Sequence, residues 1–226
     1  MTQLKLKRPQ PVMTYILIVL CILIYAVDRL TAFTMFGRWG YGLLSYAGMR
    51  MNDRISSGEW WRLVTPMFLH GSLLHLGMNC LGLYVWGRYM ERLYGPWRYG
   101  LLLLASGFMG NVMGYAFSSY DALGISGAIF GIFGMLLALW KENRQVFKAL
   151  FGVQVFIYAG ANLLLGFMNK GVDNWGHVGG MLGGFLAGLV VGLPWTKKET
   201  IKQIAAGMSF LAVSAFLIAV GRGLIF

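Results

Sequence analysis

A serine between glycines opens one of the chain's apolar stretches, in the sequence Gly124-Ile125-Ser126-Gly127. At the N-terminus of a helix, a serine meets unpaired backbone N–H groups and the positive end of the helix dipole, and both stabilise a developing oxyanion. Its hydroxyl is a poor nucleophile until a base takes the proton. Because the motif is short, it also fits a serine that only packs against a neighbouring helix.

One of the three histidines in the chain offers such a base. His177 opens another apolar stretch, and the glycines of that stretch recur every fourth residue. Because glycine has no side chain, this stripe favours close contact with a second helix face made of glycines. The stretch that begins at Ser126 has such a face. If the two faces meet, His177 lies beside Ser126. The glycines are Gly176, Gly180, Gly184 and Gly188 in the first stripe, and Gly127, Gly131 and Gly134 in the second.

We predict that Ser126 and His177 form a two-residue catalytic unit. An imidazole, with a reference pKa of about 6.5, is suited to act as a general base. No acid is placed to orient the ring, because Asp173 lies four residues earlier in a predicted loop. Phe130, four residues after Ser126, is expected to stack on the ring.

His75 and Asn79 are four residues apart, so on a helix their side chains share one face. Both can donate hydrogen bonds, and each preorganised donor in a low-dielectric pocket is worth roughly 3 kcal/mol to an oxyanion. We therefore predict that His75 and Asn79 are donors to such an oxyanion. His70 is five residues before His75 and faces elsewhere, so we expect it to bond the backbone of the aromatic loop before it.

The composition is that of a membrane protein. Of the 226 residues, 58% are hydrophobic and 12% are charged, and the mean hydropathy is +0.63. The first apolar run is too long for a removable signal peptide and lacks a small-residue cleavage site. Cys21 and Cys80 fall inside predicted spans, so no disulfide is expected, and the few histidines and cysteines make no metal-ligand set. We predict no metal and no cofactor.

The apolar stretches predict an all-α, polytopic membrane bundle with seven spans. Residues 37–65 are too polar to cross the bilayer and too rich in aromatic residues to stay in the aqueous phase, so we expect a compact structure in the membrane interface. A basic turn is expected at residues 141–148. The spans are expected at about residues 13–35, 70–90, 99–117, 126–140, 149–167, 175–193 and 204–220.

The distribution of charge predicts the orientation. Twelve of the 19 Lys and Arg residues, but only three of the eight acids, fall in the N-terminal tail and in the connections on its side of the membrane. The positive-inside rule therefore places the N-terminus in the cytoplasm and the C-terminus outside, with Ser126 and His177 at similar depth near the outer face. The net charge of +11 then needs no nucleic-acid partner.

Four motifs resemble, in their order, those of the rhomboid family of intramembrane serine proteases. Each is weak alone, but together, at matching span positions over about residues 12 to 193, they are highly specific. They are Trp61-Arg62 in the first loop, His70-x4-His75-x3-Asn79 at the second span, Gly124-x-Ser126-Gly127 at the fourth, and His177-x2-Gly180-x3-Gly184 in the sixth.

The resemblance implies that Ser126 is the nucleophile and His177 the general base, with His75, Asn79 and the Ser126 N–H as the oxyanion hole. It implies a first loop partly immersed in the membrane. It also implies single-pass membrane proteins as substrates, cut within or near their transmembrane segments after a small residue, with spans five and six or their loop moving aside to admit them.

The family pattern also bears on other positions. Glu91 and Arg92 fit a motif at the cytoplasmic end of the second span, where the family uses charged residues structurally. Phe130 stands where many members have tyrosine, so the ring can stack but offers no hydroxyl. The seventh span extends the six-helix core of the family. We expect a cytoplasmic tail (1–11), a rhomboid-like catalytic membrane core (12–194), and a basic linker with a seventh transmembrane helix (195–226).

Two other functions stay open at this point. A catalytically inactive relative would bind membrane clients, but such relatives usually lack the serine or the histidine. A transporter or channel with a proton path would account for the glycines and histidines. It gives no reason for a serine between glycines at a helix start with Asn79 one turn below a histidine.

The expected location is the cell membrane, with the site opening to the extracytoplasmic side.

Overall fold

The computed structural model describes residues 10–36, 40–169, 171–193 and 199–225. Most of the N-terminal tail, part of the first loop, Lys170 and the basic segment 194–198 lie outside this part. Within it the chain is helical, and the only strand-like feature is one antiparallel bridge between Arg50 and Ala122. The helices are α1 (Val12–Phe36), α2 (Leu43–Gly48), α3 (Asn52–Ser56), α4 (Leu73–Gly82), α5 (Arg88–Tyr94), α6 (Pro96–Phe117), α7 (Ser126–Glu142), α8 (Arg144–Leu150), α9 (Gln154–Phe167), α10 (Asn174–Val191) and α11 (Thr200–Gly221).

The predicted fold class is confirmed as a helical bundle. The seven predicted spans correspond in order to α1, the α4–α5 pair joined by a π-helical turn, α6, α7, α9, α10 and α11. By length and composition alone, three helices in the described part could cross a membrane: α1, α6 and α11. The bent pair α8–α9 would make a fourth. The helices α7 and α10 have only 17 and 18 residues and are rich in glycine.

The predicted basic turn at residues 141–148 is wrong in part. Lys141 and Glu142 end α7, but residues 144–150 form α8, which is bent by 77° against α9. The Oδ1 atom of Asn143 accepts a hydrogen bond from the Val146 N–H at 3.0 Å. Such a cap satisfies an N–H group that a helix start leaves unpaired, and it begins a new helix where the composition predicts a loop.

The core surrounds α7, which packs against α6 and α10, themselves in contact, and is buried on nearly every side. A helix that is apolar all round belongs in such a central position. In contrast, α1 and α11 carry large exposed apolar side chains, such as Leu23, Leu30, Ile204 and Leu211. Faces of this kind suit contact with lipid.

Two buried carboxylates, Glu91 of α5 and Asp28 of α1, each bond the start of another helix. Glu91 accepts hydrogen bonds from the Met13 N–H and from both the N–H and the hydroxyl of Thr14, at 2.7–2.8 Å, and so caps the N-terminus of α1. Asp28 accepts from the Gly42 and Ser45 N–H groups at the start of α2. Anionic oxygens stabilise helix N-termini through these bonds and the helix dipole. This gives Glu91 the structural role that its motif indicates.

The segment between α1 and α4 is compact, as predicted, in its described part. It holds α2, α3 and two 3-10 turns, and Arg62 is buried at its centre. The guanidinium donates to the carbonyls of Met49 and Tyr46 at 2.8 and 2.9 Å and pairs with Glu59 at 2.6 Å. The Trp61 indole donates to the Ala47 carbonyl at 3.0 Å. The Trp-Arg motif thus bonds the loop to itself.

Candidate active site

Ser126 is the first residue of α7, as its sequence context indicates. The chain enters the helix through Gly124, whose φ of +122° favours glycine. The first backbone bond of the helix runs from the Ile129 N–H to the Ile125 carbonyl at 3.0 Å, and no side chain caps the helix start. The N–H groups of residues 126–128 therefore lack a helical acceptor and are free to bond an anion beside Ser126.

The helices α7 and α10 meet along their two glycine stripes, as predicted. A β-carbon added to Gly180 would lie 1.9 Å from the Gly127 carbonyl oxygen, and one added to Gly184 would lie 2.0 Å from that of Gly131. Neither position accepts a side chain, because the backbones themselves are in contact. This contact places the start of α10 against the start of α7.

His177 and Ser126 are in hydrogen-bonding contact. The distance between His177 Nε2 and Ser126 Oγ is 2.9 Å. The Phe130 ring stacks on the imidazole with a centroid distance of 4.2 Å and an interplanar angle of 13°. The serine and histidine are 51 residues apart in sequence. A serine nucleophile and a histidine general base require a contact of this length.

His75 and Asn79 converge on the same point from α4. A β-carbon added to Gly124 would lie 2.7 Å from His75 Nε2 and 3.4 Å from Asn79 Nδ2. Asn79 is 5% exposed, and its Nδ2 has no hydrogen-bond partner within the described residues. An unpaired buried donor is costly, so an amide aimed at a reacting site is a candidate for stabilising transient negative charge.

His70 is placed differently from its prediction. It is buried, and neither ring nitrogen makes a well-formed hydrogen bond with another described residue, although the Phe68 backbone approaches the ring. Its ring packs edge-on against His75, with centroids 5.2 Å apart. His70 therefore supports His75 by packing, and the expected hydrogen bond to the backbone of the aromatic loop is not found among the described residues.

A cavity of about 610 Å³ opens at the end of the bundle where α4, α7 and α10 begin. Ser126, His177, His75 and Asn79 all line it. It lies between the described parts of the loops that precede these helices. Ser126 therefore borders a cavity with room for several water molecules. Among the described residues, no cluster of histidine, cysteine or acidic side chains could hold a metal ion.

Sequence reasoning missed an ion pair between a buried arginine and a partly exposed aspartate beside this cavity. Arg50 is fully buried, and its Nη1 lies 3.0 Å from Oδ2 of Asp173. Burial lowers the pKa of the Arg50 guanidinium, and the carboxylates of Asp173 and Asp121 oppose that shift. Asp173 pairs with Arg50, and His177 Nδ1 has no partner in the described part of the chain. No local pattern signals such a pair, because its members are distant in sequence.

The chain matches the family model described as "Rhomboid domain" over residues 57–194. It is 37% identical over 185 residues to "Rhomboid protease GluP" of Bacillus subtilis, which covers 82% of this chain and 36% of that protein. It is 36% identical to "Rhomboid-type serine protease 2" of Emericella nidulans over 60% of this chain and 27% of that protein. It is also 28% identical to "Inactive RHOMBOID-like protein 8" of Arabidopsis thaliana over 70% of this chain. The chain therefore spans about a third of the length of the first two relatives.

Proposed function

Because the chain belongs to the rhomboid family, we propose that it is an intramembrane serine endopeptidase. Its substrates in this proposal are single-pass membrane proteins, cut within or near their transmembrane segments. The observation that carries the proposal is the 2.9 Å contact between Ser126 Oγ and His177 Nε2 at a helix start that leaves its N–H groups free.

In the proposed reaction, Ser126 Oγ attacks the carbonyl carbon of the scissile bond while His177 Nε2 accepts the hydroxyl proton. The oxyanion receives hydrogen bonds from the Ser126 N–H, the Asn79 amide and the His75 ring. The tetrahedral intermediate collapses, the peptide C–N bond breaks, and the imidazolium gives its proton to the leaving amine. Water entering the cavity then attacks the acyl carbon while His177 accepts its proton. The ester C–O bond breaks, the imidazolium returns the proton to Ser126 Oγ, and the carboxylic acid product leaves.

The proposed setting is the cell membrane, with the N-terminus in the cytoplasm and the cavity open to the other side. The basic residues at the ends of α5 and α7 and in α8 support this orientation, because positively charged connections stay in the cytoplasm. The proposed domains are the tail (1–11), the catalytic core (12–194) and the linker with the seventh span (195–226). The contacts of α11 with α6 and α10 join that span to the core.

The test replaces Ser126 or His177 by alanine. Ser126→Ala removes the nucleophile and His177→Ala removes the base, so each should abolish cleavage of a purified single-pass model substrate by protein in detergent or liposomes. Thermal unfolding should show both variants folded, and a fluorophosphonate probe should label the parent protein but not Ser126→Ala. Cleavage by a folded Ser126→Ala variant would reject the proposal. A parent protein that binds substrate but neither cleaves it nor takes up the probe would indicate an inactive client-binding relative.

A further inference from the structure

Arg50 is a fully buried arginine that bonds to residues outside its own loop. It lies between α2 and α3, and its side chain has no exposed surface. The guanidinium neither touches the Ser126 hydroxyl nor belongs to the predicted catalytic group. Placing a cation in such a position is costly unless it is paired and hydrogen-bonded. Its partners therefore show what the cation holds in place.

The first set of partners belongs to the loop that leads into Ser126. The Arg50 N–H donates to the Ala122 carbonyl at 2.8 Å, and the Ala122 N–H donates back at 3.1 Å. In addition, the Arg50 guanidinium donates from Nη2 to the Tyr120 carbonyl at 2.6 Å. Ala122 is four residues before Ser126. These three bonds fix the path of the chain just before the start of α7.

The second partner belongs to the helix start that carries His177. Arg50 Nη1 pairs with Oδ2 of Asp173 at 3.0 Å. Asp173 precedes α10, and its carbonyl accepts the N–H of His177 at 3.2 Å. Because Asp173 is four residues before His177, the ion pair holds the N-terminal turn that presents the imidazole.

The surrounding backbone leaves room for this pair. A β-carbon on Gly114 would lie 1.4 Å from Arg50 Nη1 and 2.7 Å from Asp173 Oδ2, and one on Gly176 would lie 2.6 Å from the same carboxylate oxygen. Glycines on α6 and α10 thus form a slot in which the two charges meet. A side chain at either glycine would therefore collide with the pair.

We propose that Arg50 is a positioning residue, which ties the loop before Ser126 to the helix start of His177 and thereby fixes the separation of Oγ and Nε2. The inference rests on the proposed hydrolytic function. Loss of the tie leaves both helices in place but lets the two short segments move independently. A displacement of about 1 Å between reacting groups can cost about 100-fold in rate.

The test compares Arg50→Met, Arg50→Lys, Asp173→Asn and the double variant Arg50→Met/Asp173→Asn. The measurements are kcat and KM on the model substrate and the rate of Ser126 labelling by a fluorophosphonate, each per folded protein. We expect Arg50→Met and Asp173→Asn to lower kcat and the labelling rate about 10- to 100-fold with little change in KM. The double variant should have the same kcat and labelling rate as the single variants, because all three remove the same Arg50–Asp173 ion pair. Arg50→Lys should recover part of the loss, since an ammonium can still pair with Asp173.

Two arginines of the same loop are matched controls. Arg54 is 61% exposed at its side chain, so Arg54→Met should change nothing. Arg62 is buried, and its bonds to the described residues all stay within the loop, so Arg62→Met should lower the melting temperature without slowing labelling of the folded fraction. If Arg50→Met does not fold, the smaller change Asp173→Asn decides the matter.

Parent-like kcat and labelling rates in folded Arg50→Met or Asp173→Asn would overturn the positioning role. This outcome is distinct from failure of the proposed function, in which Ser126→Ala itself retains cleavage. A fall in melting temperature alone, with unchanged rates per folded protein, would show that the ion pair is purely structural and would also overturn the inference.

Discussion

At the residue scale, the imidazole of His177 is held by packing and by one bond to the serine. The Phe130 ring covers one face at 4.2 Å, and Nε2 contacts Ser126 Oγ at 2.9 Å. A buried ring that is stacked on an aromatic face and bonded at one nitrogen has few orientations to lose on reaction. In a serine–histidine–acid triad, a carboxylate bonds the imidazole. Here the carboxylate of Asp173 pairs with Arg50 instead. Two side chains and their packing thus account for the proposed base.

The oxyanion role of Asn79 is also a residue-scale prediction. Asn79→Ala should lower kcat about 100- to 1000-fold, because it removes one preorganised donor, while KM and folding change little. The measurement is cleavage of the model substrate, with labelling of Ser126 as a second readout. Met78→Ala is the control, since Met78 is the neighbouring residue on α4 and is 62% exposed. Full activity in Asn79→Ala would remove Asn79 from the proposed oxyanion hole.

At the scale of elements, the contact between α7 and α10 decides where the proposed nucleophile and base meet. Their glycines bring the two backbones into contact over about one helical turn, from Gly127 with Gly180 to Gly131 with Gly184. Because each helix is rigid, a small change of spacing in the stripe moves the helix ends together with their side chains. The stripe therefore serves both stability and the geometry of the site.

This contact predicts different outcomes for two glycines in helices. Gly184→Ala should destabilise the protein by about 1–3 kcal/mol, because its methyl group meets the Gly131 carbonyl oxygen at 2.0 Å. Gly160→Ala is the matched control: a β-carbon there meets nothing within 4 Å in α9, so it should be neutral or stabilising by up to about 1 kcal/mol. Thermal unfolding and Ser126 labelling measure both effects. Equal melting temperatures for the two variants would contradict the close contact.

At the scale of the whole molecule, apolar surface and polar cavity are separated. The outer helices α1 and α11 expose large apolar side chains along their length, whereas the cavity collects the polar side chains of three central helices at one end. The start of α11, the seventh predicted span, lies at the opposite end of the bundle, beside the ends of α7 and α10. A bilayer around the outer helices would leave the cavity facing one aqueous side.

The orientation can be tested with single cysteines at exposed loop positions. Asp121→Cys lies beside the cavity, and Arg144→Cys lies at the start of α8. In intact cells, a membrane-impermeant maleimide should label residue 121 at once and residue 144 only after permeabilisation. The parent protein, whose Cys21 and Cys80 lie within helices, gives the background. Labelling of residue 144 but not residue 121 in intact cells would reverse the proposed topology.

Local patterns in the sequence determined the helical class, the order of the apolar segments and the start of α7 at Ser126. They also indicated which glycine faces would meet. These properties follow from hydropathy and from the helical repeat, which act over neighbouring residues. Even so, the break that creates α8 escaped prediction, because a cap at Asn143 outweighed the loop-like composition of the basic turn.

Only the tertiary structure decided the partners of the buried charges. Glu91 caps a helix 77 residues earlier, and Arg50 pairs with an aspartate 123 residues later. The pairing energy of such groups depends on which segments the fold brings together and on how completely it removes them from water. Neither quantity can be deduced from sequence spacing, so these contacts can be identified only from the packed structure.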